Sequence, residues 1–207
     1  MTSIARLVPL ALAALLLAAC TSGLTQDANL LEKRFYVLRA DQDPSPAAVT
    51  TPGTCRVKRL TVSPGFAGRE IVYRVGENSF ESDYYNVYHS TPADLISQAT
   101  RQWLDDAKIF DHVAETTSEA RPDYILEGNV VTLHGDFSNP DQPLAVLEMQ
   151  FFLLKDQDFD FRITMDTEYR QEIPIADKSA AGLVQALNTA LTHILTQLQQ
   201  DLSANLP

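Results

Sequence analysis

The sequence predicts a mixed α/β fold: a single domain with one mixed β-sheet and two main helices packed on it. Three observations lead there. Short β-branched and aromatic runs alternate with Gly- and Pro-containing turns over much of residues 34–173. Two other segments space their apolar residues by three and four, the period of a helix. No repeat or internal boundary divides the 207 residues, a length that suits one domain with a substantial core.

Taken in order, residues 34–39 read as a first short strand, and Pro44, Pro46, Pro52 and Gly53 mark residues 40–53 as a loop. Residues 56–62 are strand-like, and residues 63–68 form a turn-rich link through Pro64, Gly65 and Gly68. The β-branched run 70–75 turns at Gly76-Glu77-Asn78 and returns over 79–85 as a hairpin. A helix opens at Thr91-Pro92-Ala93-Asp94: Thr91 caps, Pro92 suits the first turn, and Asp94 complements the positive end of the dipole. Its buried stripe is Ile96, Ala99, Trp103 and Ala107. Strands follow at 110–114, 124–133, 144–154 and 159–173, the last two joined by Asp156-Gln157-Asp158. The run 144–154 is unusually apolar, as a strand buried on both faces or one lining a lipid groove would be. From 178 to about 203, Leu183, Leu187, Leu191, Ile194, Leu198 and Leu202 mark an amphipathic helix that packs on the sheet.

The N-terminus carries a different signal. Arg6 precedes an apolar run over residues 7–19, broken only by Pro9 and too short for the roughly 20 residues a spanning helix needs. It ends in Leu17-Ala18-Ala19-Cys20, small residues followed at once by a cysteine, which matches the bacterial lipobox. Residues 1–19 are therefore expected to be a signal peptide. Cys20 is the expected lipidation site, residues 20–33 a lipidated flexible tether, and residues 34–207 the folded domain. Thr21 rather than Asp after Cys20 leans toward the outer membrane, by analogy with enterobacterial lipoproteins.

The formal charge of −11 becomes −12 when Arg6 leaves with residues 1–19. Such acidity argues against nucleic acid, whose phosphates require a basic surface. It also argues against broad adhesion to anionic headgroups, so the acyl chains must do the anchoring. With Cys20 lipidated, Cys55 is a lone thiol: either a buried small hydrophobe at a strand start or a reactive group beside Arg56 and Lys58.

Catalytic patterns are absent. There is no G-x-S-x-G and no phosphate-cradling glycine loop. His89, His112, His134 and His193 are isolated from one another and read as surface or satisfied core residues, so no metal site is expected. Asp156, Asp158 and Asp160 begin like a calcium loop. Phe161 replaces its glycine and Thr167 its closing glutamate, so a solvated hairpin turn is the better reading. No cofactor or catalytic residue is assigned. Tyr73, Tyr84, Tyr85 and Tyr88 cluster with Phe66 and Phe80. They are candidate partner-contact residues, since tyrosine joins apolar area to a polar tip. Ordinary strand aromatics, half of them in the core, explain the cluster equally well.

Read in order, the lipobox, Phe35-Tyr36-Val37-Leu38, the Val57 and Leu60 strand, residues 64–69 leading into Glu70-Ile71-Val72-Tyr73-Arg74, and the aromatic stretch before the Trp103 helix resemble the ABC-type transport auxiliary lipoproteins, the PqiC-like family. The resemblance covers roughly residues 34–202 and is best over 57–104. Where that family often places a tryptophan before the first helix, Tyr85 and Tyr88 stand here. The resemblance implies a non-enzymatic accessory to an ABC permease and ATPase and an MCE-type substrate-binding protein. It would sit on the outer-membrane side and serve movement of phospholipid or other hydrophobic molecules across the periplasm of a Gram-negative envelope. Ring formation as a homo-oligomer would suit such a docking role. The competing reading is a lipoprotein regulator or assembly factor of a peptidoglycan or surface-structure machine.

Overall fold

The computed structural model describes residues 32–158 and 160–206; the signal segment, Cys20, the tether up to residue 31 and Phe159 lie outside the described residues. The chain order is β1 (Arg34–Tyr36), β2 (Thr51–Val57), β3 (Thr61–Val62), a 3-10 turn (Pro64–Phe66), β4 (Glu70–Gly76) and β5 (Ser79–Tyr88). Helix α1 (Pro92–Asp106) follows, then β6 (Phe110–Ala114), β7 (Tyr124–Asp136), β8 (Leu144–Gln157), β9 (Asp160–Pro174) and helix α2 (Ala180–Asn205). The fold is the expected single mixed α/β domain, with a curled mixed sheet and two helices.

Strand β7 is the axis of the sheet. One of its edges pairs antiparallel with β8 along the whole strand, and β8 pairs antiparallel with β9. The other edge is shared by three parallel partners in succession: β2 at residues 124–126, β3 at 129–130 and β4 at 135–136. Beyond them, β6 lies on β2, and β5 followed by β1 lies on β4.

One core binds both helices to this sheet. The six apolar residues of the α2 stripe, Leu183 to Leu202, are at most 1% exposed and share a cluster with Met149, Phe151 and Leu153 of β8. Alternate residues of β8, including Phe152 and Leu154, are half-buried on the opposite face. One-sided core packing therefore accounts for most of the apolar character of that strand. Helix α1 buries Ile96, Trp103 and Leu104, with Ala107 beneath its C-terminal end and Ala99 only half-buried. Trp103 Nε1 donates to Gln199 Oε1 at 3.0 Å and joins the helices. Ser179 caps α2 by accepting from Gly182 N at 3.1 Å. Asn188 and Thr192 accept from Arg39 N and Asp41 N at 3.1 and 2.7 Å, tying the segment after β1 to α2.

Several strand boundaries differ from the sequence expectation, two of them for a visible local reason. The first is that β2 begins at Thr51, inside the expected loop, and takes in Pro52 and Gly53. A register shift between Thr51 and Thr54 removes the need for the N–H that proline lacks, and Gly53 adopts φ 112° there. The second is that the expected strand over 56–62 splits into β2 and β3. Lys58 N still donates to Leu126 O of β7, but Arg59 N and Leu60 N leave the ladder for Thr116 Oγ1 and Ser97 Oγ, and Leu60 drops fully into the core. Strand β1 is also shorter than expected.

Candidate contact site

The β4–β5 hairpin is irregular where the tyrosines lie. Between the Glu70–Val87 and Val72–Ser82 pairs, β5 carries residues 83–86 against the single residue Ile71 on β4. The extra residues bulge from the sheet. Asp83 organises them: its Oδ1 accepts from Tyr85 N and Asn86 N, both at 2.9 Å. Its Oδ2 accepts from Asn86 Nδ2 at 2.8 Å and Tyr73 Oη at 3.0 Å. Tyr36 Oη in turn donates to Asn86 Oδ1 at 3.1 Å. Burial alone would raise the Asp83 pKa, but the hydrogen bonds from Asn86, Tyr85 and Tyr73 outweigh it and hold the carboxyl below its ordinary range. Tyr73 is pushed upward, first by burial and then by its bond to the Asp83 carboxylate.

The four candidate tyrosines separate. Tyr84 is 68% exposed and Tyr85 38%, their rings perpendicular at 5.1 Å. Tyr73 is half-buried and packs edge-on against Phe137 at 5.6 Å. Tyr88 is 1% exposed and belongs to the core, which corrects its place in the candidate set. The physical reason is the bulge, which lets the strand rejoin the sheet so that Val87 and Tyr88 are both buried, Tyr88 beside Tyr36 of β1. Around the exposed pair, Lys33 Nζ stands 4.3 Å from the Tyr84 ring centroid. Phe35, 57% exposed, lies between the Arg69 guanidinium at 5.6 Å and the His89 ring at 6.4 Å. Sequence reasoning missed Phe35, Tyr36, Asp83 and Asn86 as parts of this site. The available signal was Asp83 itself, an Asx residue two and three positions before the N–H groups it accepts.

Asp83→Ala is expected to cost about 1–3 kcal/mol, toward the lower end because the half-exposed bulge admits water to the stranded N–H groups. The folded pKa is depressed, so this stabilisation is present above the unfolded value near ~3.9 and is lost as pH falls through the folded pKa. Urea unfolding of both proteins should therefore differ at neutral pH and converge on acidification.

The other groups that the sequence singles out take structural places among the described residues. Cys55 is fully buried, and burial pushes its thiol up to about 12, so the inert reading holds. His134 is buried between Phe66 at 5.8 Å and Phe80 at 5.5 Å. Burial lowers its pKa, and Nδ1 has no hydrogen-bond partner among the described residues, so it is a core histidine that is not fully satisfied. Asp158 turns the β8–β9 hairpin with φ 54°, and no group of metal-holding side chains occurs among the described residues. A cleft of about 460 Å³ between α1 and the segment after β6 is lined by Arg59, Asp94, Arg101 and Glu115, with Arg59 bonded to Asp94 and Arg101 to Glu115. Its charged walls are unsuited to an acyl chain. Among the described residues no helix is long and apolar enough to cross a membrane.

Comparison with known proteins adds the following. The family model described as the ABC-type transport auxiliary lipoprotein component matches residues 36–199. A crystal structure from Xanthomonas campestris, of the DUF330 family, superposes with a TM-score of 0.69 at 19% identity, covering 80% of this chain and 92% of that one. Another, described as an uncharacterized protein, gives 0.63 at 14% identity, covering 82% and 98%. A hypothetical protein of Chlamydia trachomatis gives 0.51 at 7% identity, covering 74% and 99%. At these identities the likenesses establish the fold. No curated protein matches.

Proposed function

From membership in the ABC-type transport auxiliary lipoprotein family, to which this chain belongs, we propose an outer-membrane-side accessory of an ABC/MCE-type system that moves phospholipid or other hydrophobic molecules across the periplasm. The family places the protein in the cell envelope, in association with a transport system, and it is not a known enzyme family. The finer reading gives Cys20 the anchor, residues 20–33 the reach, and the folded domain the task of docking the periplasmic conduit. The observation that carries it is the match over residues 36–199, nearly the whole folded domain. The 460 Å³ cleft, with the Arg59–Asp94 and Arg101–Glu115 pairs in its walls, suits a polar ligand better than a hydrophobic cargo.

Affinity capture of the tagged mature protein from cross-linked membranes tests this reading. An ABC permease, its ATPase and an MCE-type protein are the expected partners. Recovery of peptidoglycan synthases in their place would overturn it.

A further inference from the structure

We propose that the Tyr84–Tyr85 bulge, together with Phe35 and the cations around it, seats on the headgroup–acyl boundary of the bilayer that anchors the protein. The inference names the partner of the contact surface above and rests on the Cys20 anchor.

Four observations carry it. The first is chemistry: two exposed tyrosines and an exposed phenylalanine present apolar rings with polar tips, the side-chain type enriched at membrane–water interfaces. The second is local charge. In a chain of net charge −11, Lys33 stands against the Tyr84 ring, Arg34 pairs in register with Asn86 of the bulge, and Arg69 sits over the Phe35 ring. These cations match lipid phosphates. Asp83, the acid inside the bulge, is turned inward onto four donors and presents no free acceptor pair outward. The third is where the leader enters. Lys33 Nζ lies against the Tyr84 ring, so the chain preceding it starts at the patch, and the thirteen steps from Cys20 to Lys33 span at most about 45 Å. The fourth is mass action. A tether that short holds the patch at high effective concentration beside the bilayer, so weak interfacial binding suffices despite the acidity of the whole protein.

The patch also has a built-in optical test, because the lone tryptophan, Trp103, is only 4% exposed and reports on the core. Tyr84→Trp places an indole on the bulge. Val49→Trp places one at a 74% exposed position preceding β2, whose neighbour β6 lies at the opposite end of the strand order from β1. Each acylated mature variant is reconstituted with vesicles of phosphatidylethanolamine and phosphatidylglycerol carrying brominated acyl chains, and membrane attachment is measured by flotation. The expected result is flotation of both, with roughly twofold loss of the added emission for Tyr84→Trp and none for Val49→Trp. Flotation without quenching of Tyr84→Trp, or equal quenching of both variants, would overturn the inference while leaving the anchor standing. Failure to float would overturn the anchor and the inference together. An indole unmoved by vesicles but shifted by the solubilised transport complex would assign the patch to a protein and also overturn it.

Discussion

Phe151→Ala is expected to lower the unfolding free energy by about 3–5 kcal/mol, the range for truncating a fully buried phenylalanine. Phe151 lies mid-way along β8, paired with Gly128 of β7 on one side and Thr167 of β9 on the other, with its ring 6.3 Å from that of Tyr169. It joins the sheet to the α2 stripe through one core. Gly128 is shaped to it. A Cβ there would stand 3.1 Å from Phe151 Cδ1 and 2.9 Å from Leu60 Cγ, so Gly128→Ala alone overpacks the site. In the Phe151→Ala background part of that space opens and the second change should cost less. Urea unfolding of the four proteins forms a cycle with an expected coupling of about 0.5–3 kcal/mol. A single-mutant loss below about 1 kcal/mol would contradict the packing described.

Cys20→Ala has the largest expected effect on the protein in the cell. A single acyl chain binds membranes marginally and two or more bind stably, so removing the sulfur proposed to carry them should move nearly all of the protein from the membrane to the soluble fraction. The Tyr84–Tyr85 patch alone cannot hold a chain of this acidity once the tether no longer concentrates it. Fractionation with a tagged copy reads the outcome, and an unchanged membrane fraction would contradict the anchor.

Local rules made the helices and hairpins legible. The leucines of α2 recur at three and four without interruption, and Thr91-Pro92-Asp94 carries capping, first-turn geometry and dipole compensation in one run. Glu77-Asn78 and Asp158 turn where turn chemistry requires, although β8 runs on through Asp156 and Gln157, which the sequence assigns to the turn. What stayed hidden depends on residues far apart in the chain. Pro52 and Gly53 read as loop because proline fits poorly in a ladder, and only the register shift against β6 admits them. Leu60 leaves its strand to fill the space over Gly128.

The contact site was half legible for the same reason. Aromatic density in residues 73–88 was visible, but which rings face outward was not, because strict alternation assumes an unbroken strand. The bulge breaks that alternation, and it is held partly by Tyr73 on the neighbouring strand. Tyr88 thus moves into the core while Phe35, outside the expected contact set, comes to the surface. The family, by contrast, was readable from the order of several individually weak patterns. The resemblance drawn over roughly residues 34–202 agrees with the family match over 36–199.

The mass of the N-terminal peptide of the protein isolated from cells tests the central claim most directly. The account predicts a chain beginning at Cys20 and carrying acyl mass on that residue. A mature chain that begins elsewhere, or a Cys20 free of acyl groups, would contradict it.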